Sequence, residues 1–358
     1  MRLEKFRAVL EQENLEGFLV TQPENWRYLS GFTGSNAVLI ITTERQIVAT
    51  DSRYYEQVKQ QSPDWELAEV GYDFAAKILE LLREAGLGGR HVGFEAQHVS
   101  VATLHAWERA LLGRLVLINT EGFVESLRMN KEAEEVAHIK KAVALADAAW
   151  DYISHWMKPG MTELQVAWEL ESYMRTHGAE ALAFESIVAS GSNSAKPHAR
   201  PTARVIQAGE PVTLDFGCVV EGYCSDITRT VSLGEPSDGR YLAVWQTVLA
   251  AQQAAVREAK GGLTGEAVDK LARDIIEEAG YKEYFGHGLG HGVGLAVHEG
   301  PRYSFTYPHE VYSGAVMTVE PGVYLPDWGG VRLEDMVVVH DEGVEVLTTA
   351  PKSAILEI

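Results

Sequence analysis

Two segments of the chain each carry a pair of carboxylates placed to face one another. In VTLDFGCVVEGYCSDITRT, β-rich runs flank Glu221-Gly222, the pattern of an antiparallel hairpin, with Asp215 and Asp226 about equally far from its turn. Side chains opposite one another in such a ladder have Cβ atoms roughly 5 Å apart, where like charges destabilise the sheet unless a cation lies between them. The pair asks for a metal. VMTVEPGVYLPDWGGVRLEDMVVV repeats the device, with strands on either side of Asp327–Gly330 and Glu320 and Glu334 each seven residues from Asp327. Asp215 and Glu320 are 105 residues apart, Asp226 and Glu334 are 108. If two half-domains pack about a local two-fold axis, all four carboxylates converge, and roughly two divalent cations are needed to bury them together.

Between the hairpins, FGHGLGHGVGLAVHEGP carries His287, His291 and His298 among glycines. A phosphate-cradling loop would require a following GK[ST], which is missing, so imidazole ligation is the better reading of at least one of the three. His198 lies in the polar stretch ASGSNSAKPHARP, 100 residues before His298, either as an exposed loop histidine or as a further member of the site.

The elements that must position these residues repeat as well. KPGMTELQV begins at Lys158 and KGGLTGEAV at Lys260, an offset of 102, and both following helices end at a glycine, Gly178 and Gly280. Thr162 with Gln165 forms a capping box. The preceding helix places Val136, Ile139, Val143, Ala146, Trp150 and Ile153 on one stripe. Upstream, Phe18–Val20, Val38–Ile41, Ile47–Ala49, His91–Phe94 and Leu115–Ile118 read as strands, Phe74–Leu82 as a helix, and Ser100 as the cap of another. The expected organisation is an α/β amino-terminal domain over residues 1–124, followed over 125–358 by an α+β domain with an internal pseudo-two-fold repeat.

Bulk properties limit the partners. With 31 Lys+Arg against 51 Asp+Glu the 358-residue chain carries a formal charge of −20, which disfavours nucleic acid and anionic lipid. The two cysteines, Cys218 and Cys224, lack zinc or redox spacing and suit a reducing compartment. The amino end lacks a signal-peptide pattern, and no apolar run is long enough to span a membrane, so a cytoplasmic location is expected.

TLDFG, SDITRT, GHGLGHGVGL, VHEGP, TVEPGVY and VRLEDMV together resemble the Xaa-Pro peptidases, prolidase and aminopeptidase P, of the pita-bread metallopeptidase family, over about residues 130 to 345. The amino-terminal segment resembles that family's own first domain. The resemblance implies that Asp215 chelates one metal, Asp226 and Glu334 bridge both, and His291 and Glu320 complete the second. It makes His198 and His298 substrate- and proton-handling residues, sets His287 in the site lining and has Arg332 support the ligands. Glu320 is then the candidate for proton transfer to the leaving imino nitrogen. Hard oxygen donors with one imidazole favour manganese, with cobalt or zinc as alternatives. The implied substrate is a proline-containing dipeptide or short peptide, and the implied assembly is a homodimer.

Four rivals share the architecture. A methionine aminopeptidase normally lacks an extra domain of about 125 residues, a creatinase-like amidinohydrolase works without metal, and a non-catalytic peptide-binding module would have lost ligands that are intact here. Aminopeptidase P is the alternative within the group. A dipeptidase must hold the free carboxylate beside proline, and Arg302, four positions after His298, is the candidate clamp. Xaa-Pro dipeptidase is the favoured expectation.

Overall fold

The computed structural model describes residues 2–71, 73–111 and 114–357. The chain divides into two compact units, Met1–Arg128 and Met129–Ile358.

The first unit is a six-stranded mixed sheet flanked by helices. Its strands are β1 (Gly17–Val20), β2 (Val38–Thr42), β3 (Gln46–Thr50), β4 (Glu66–Glu69), β5 (His91–Glu95) and β6 (Val116–Thr120), in the order β4-β3-β2-β1-β5-β6. The helices are α1 (Arg2–Gln12), α2 (Pro23–Ser30), α3 (Tyr55–Gln61), α4 (Phe74–Glu84), α5 (Val101–Leu111) and α6 (Phe123–Arg128). Leu19, Ile40, Ile47, Val92 and Phe94 bury one sheet face against Ile78, Leu82 and Trp107. The expected strands form where the apolar runs lie, and Ser100 Oγ accepts from Thr103 N–H as a cap. Strand β4 was not foreseen, because an edge strand that buries only Ala68 lacks an apolar run.

The second unit consists of two similar halves. The first half holds α7 (Ala133–Trp156), α8 (Glu163–Thr176), β7 (Ala181–Leu182), β8 (Ile187–Ser190), β9 (Pro211–Phe216), β10 (Cys218–Val220), β11 (Tyr223–Cys224) and β12 (Ile227–Leu233). The second holds α9 (Gly239–Glu258), α10 (Gly265–Glu278), β13 (Gly290–Gly292), β14 (Glu299–Tyr303), β15 (Val316–Val319), β16 (Gly322–Leu325), β17 (Gly329–Arg332), β18 (Asp335–His340) and β19 (Gly343–Val346). A final strand, β20 (Ile355–Leu356), returns to pair with β12. The expected repeat is physical: Thr162 and Thr264 cap α8 and α10, each after a glycine at positive φ, Gly160 (93°) and Gly262 (84°). Each half has its own core. Ala146, Trp150, Val166 and Leu170 pack on Val212 and Leu214 in one, and Val244, Val248, Val268 and Ala272 pack near Met317 and Val337 in the other.

The halves are joined along β12. Glu334 N–H donates to Thr228 O at 3.1 Å, Arg332 N–H to Thr230 Oγ1 at 3.1 Å, and Thr230 Oγ1 to Arg332 O at 3.0 Å. Buried Arg229 donates to Glu334 O and pairs with Asp335 at 2.9 Å. Both hairpins thus meet edge to edge, with their carboxylates at the seam.

Candidate metal centre

The second hairpin presents its carboxylates as expected. Val319 pairs with Asp335 and Gly322 with Arg332, so one register runs from β15/β18 into β16/β17 and sets Glu320 opposite Glu334 at the junction. The first hairpin corrects the expectation of directly facing partners. Glu221 (φ 51°) and Gly222 (φ 81°) do make the turn, but Asp215 pairs with Thr228 and Phe216 with Ile227. Asp226 therefore stands two residues along from Asp215's partner, on a diagonal that still serves one sheet face. Gly217 permits the close crossing there, since a Cβ on it would lie 1.9 Å from Ser225 O.

All ten residues singled out from the sequence line one cavity of about 630 Å³ within the second unit. Donor atoms of Asp226, His291 and Glu334 lie within 4.8 Å of one another, all three residues being buried. His291 Nε2 is 3.6 Å from Asp226 Oδ2 and 3.4 Å from Glu320 Oε1. His291 Nδ1 lies 3.1 Å from Gly292 O, which fixes the ring so that Nε2 faces the carboxylates with its lone pair, the tautomer of a metal ligand. Thr228 Oγ1 donates to Glu334 Oε2 at 2.6 Å and orients it.

Asp215 is held differently from the other four. Its Oδ2 accepts from Arg332 Nη2 at 2.5 Å, while its Oδ1 is buried without a hydrogen-bond partner. A buried carboxylate oxygen left bare costs desolvation energy that a cation would recover. Arg332 also donates to Thr228 Oγ1 at 3.1 Å, Pro197 O at 3.3 Å and Tyr324 OH at 2.7 Å. Tyr324 OH in turn lies 2.9 Å from His287 Nε2. His287 is thus tied to the ligands through Tyr324 and Arg332 and not among them.

The electrostatics match a cation site. Burial, then the charges of Glu334, Asp215 and Glu320, hold the Asp226 carboxyl well above the usual range. Burial and the charges of Glu320 and Asp215 do the same to Glu334. Burial pushes Glu320 up to about 8, with Arg332 opposing and Asp215 reinforcing. Burial, then the His298 imidazole, pushes His291 down to about 3, and burial, then the Arg332 guanidinium, pushes His287 down to about 4. Neutral imidazole and mutually repelled carboxylates are the donor set that binds divalent metal. The residues fit a divalent-metal centre.

The remaining predicted residues occupy the open side. The His298 ring centroid is 4.3 Å from that of His291, and His198, His298 and Arg302 are solvent-exposed members of the cavity lining. The sequence reading missed Thr228 and Tyr324. Thr228 is two residues after Asp226 on the same strand face, and Tyr324 is on the strand face that reaches Arg332, so alternation was the available signal.

Residues 137–341 match metallopeptidase family M24, and residues 2–130 match the creatinase/prolidase N-terminal domain. A solved Xaa-Pro dipeptidase from Bacillus anthracis superposes with a TM-score of 0.96 at 40% identity, covering 100% of this chain and 99% of that one. A solved X-Pro aminopeptidase from Thermotoga maritima gives 0.90 at 39% identity and covers all of both chains. An Xaa-Pro dipeptidase of Pyrococcus furiosus is 34% identical over 348 residues, 97% of each chain.

Proposed function

The chain belongs to metallopeptidase family M24 and has its pita-bread catalytic fold, and from that premise we propose that it hydrolyses the peptide bond ahead of proline at the amino end of peptides, Xaa-Pro dipeptides foremost. The observation that carries this reading is the convergence of five metal-donor side chains, three further histidines and two arginines on one cavity. Relatives named for Xaa-Pro cleavage over the full length of the chain support it.

In this reading Asp215, Asp226, His291, Glu320 and Glu334 would hold two divalent ions, manganese by preference. Ions bound there supply Lewis acidity, polarising the scissile carbonyl and easing deprotonation of water near neutral pH. His298 and His198 donate hydrogen bonds to the oxygen that gains charge in the transition state. Although part of its ring is exposed, partial burial and then the Arg302 cation lower the His298 pKa, favouring the neutral ring, which would donate without repelling bound metal. Glu320 carries the proton to the leaving imino nitrogen. Arg332 fixes Asp215 and, through Tyr324, the His287 ring. Two buried free cysteines and the absence of any described helix long and apolar enough to cross a membrane are compatible with the proposed cytoplasmic location. A homodimer is the proposed assembly, and residues 1–124 are proposed as the amino-terminal domain.

Comparing kcat/KM for an Xaa-Pro dipeptide and an Xaa-Pro-Yaa tripeptide tests the substrate class. The dipeptide is expected to be the better substrate. Arg302→Ala should raise its KM roughly 10- to 100-fold, the worth of a charge-assisted hydrogen bond, and spare the tripeptide. An unchanged KM discards Arg302 as the carboxylate clamp, and a tripeptide preference assigns the chain to aminopeptidase P activity. Cleavage of neither substrate by metal-loaded protein contradicts the proposal.

A further inference from the structure

We propose that Glu163 is a positioning residue for His198: its buried carboxylate ties together both limbs of the loop that carries that histidine. This rests on the reading above, in which His198 handles substrate.

Glu163 is the first residue of α8 and is 0% exposed. Its Oε1 accepts from Ser190 N–H at 2.7 Å and Ser190 Oγ at 2.8 Å, on the limb entering the loop. Its Oε2 accepts from Asn193 Nδ2 at 3.0 Å on that same limb. That oxygen also accepts from Thr202 N–H at 3.0 Å and Thr202 Oγ1 at 2.7 Å, on the limb leaving the loop. One carboxylate thus fills its acceptor sites with five neutral donors drawn from both sides of His198. The helix start reinforces the clamp, since Glu163 N–H donates to Arg204 O and Leu164 N–H to Thr202 O, both at 3.1 Å.

The far side of the loop rests on the site itself. Arg332 Nη1 donates to Pro197 O at 3.3 Å, and Gly330 N–H donates to Ser194 Oγ at 2.9 Å. His198 therefore projects from a segment pinned at its base by Glu163 and on its inner side by Arg332, although its own ring is exposed. A catalytic group on a loop is effective only when the loop is held, because a displacement of about 1 Å can cost 10²-fold in rate.

The other half of the repeat separates this role from helix initiation. The counterpart of Glu163, 102 residues on, is Gly265, and α10 begins there with Thr264 as its cap and no side chain at all. A Cβ on Gly265 would lie 2.0 Å from Arg302 O, so that half uses close backbone contact where the first uses a carboxylate. The helix does not need Glu163 to start. The loop needs it to stay placed.

A double-mutant cycle on the metal-loaded enzyme tests this. Glu163→Gln keeps the shape but turns an N–H₂ against one set of donors. It should lower kcat/KM roughly 100-fold with bound metal unchanged. His198→Ala should also lower it roughly 100-fold, and the double variant should match His198→Ala alone. Should Glu163→Gln fail to fold, Thr202→Val, which deletes one donor to the same carboxylate, takes its place in the cycle with an expected loss of roughly 10-fold. Losses that multiply in the double variant, or a wild-type kcat/KM in the position-163 or position-202 variant, overturn the positioning role. An undiminished His198→Ala enzyme overturns instead the role of His198 on which the proposal stands.

Discussion

Asp215→Ala is expected to abolish bound metal and peptidase activity together, with kcat/KM falling by roughly 10³-fold or more because the Lewis acid that polarises the carbonyl is lost. The substitution removes the oxygen, Oδ1, that is buried without a partner, and it also strands the Arg332 guanidinium beside it. Arg332 is itself buried, so its released donor needs a new acceptor. Asp215→Asn separates the two consequences. It retains an oxygen able to face Arg332 but loses the charge, so it should fold like the parent, bind metal weakly and remain inactive. Metal content by elemental analysis, read beside kcat/KM, checks both variants, and full turnover in a verified metal-free Asp215→Ala protein refutes the assignment of this carboxylate.

The second large effect is on stability. Glu320 ordinarily titrates near 4.5 and is pushed up to about 8 in the folded chain, chiefly by burial. Asp226 and Glu334 are raised as well. Between about pH 6.5 and 8, above the range where the depressed His287 and His291 oppose the trend, these carboxylates make the folded metal-free chain bind more protons than the unfolded chain. Its stability falls as pH rises through that window. Divalent metal reverses the trend, since it binds the deprotonated carboxylates and must displace their protons. Thermal unfolding of chelated and manganese-loaded protein should diverge with rising pH, reaching roughly 10 °C at pH 8 when metal is in large excess over its dissociation constant. Parallel melting profiles across that range would show that the carboxylates do not share a cation.

Much of this centre was legible because its geometry is written in short-range patterns. The turns at Glu221-Gly222 and around Asp327 (φ 61°) fix the hairpins, and equal spacing from a turn is a register statement. It held for Glu320 and Glu334, which lie between two successive ladders that share one register. It slipped by two residues for Asp215 and Asp226, because the register is regular but Asp215 stands six positions before Glu221 and Asp226 only four after Gly222. The offset of 102 between the two helix starts was likewise readable, since capping threonines and turn glycines are local features.

The convergence of the two hairpins and a supporting role for Arg332 were expected; what escaped was which hydrogen bonds form between segments far apart in sequence. The bond from Arg332 to Asp215 spans 117 residues, and that from Thr228 to Glu334 spans 106. Glu163 is the plainest case: within KPGMTELQV it reads as an ordinary acidic residue in the first turn of a helix, favourable there by the helix dipole and nothing more. Only the folded chain sets Ser190, Asn193 and Thr202 around it.

The proposed reaction depends above all on two divalent ions sharing Asp226 and Glu334. Crystals grown with manganese and measured across its absorption edge test this directly. Two anomalous peaks should lie between the hairpins, both in contact with carboxylate oxygens of Asp226 and Glu334, one also with Asp215 and the other with His291 and Glu320. Peaks elsewhere on the protein, or none in a catalytically active crystal, would contradict it.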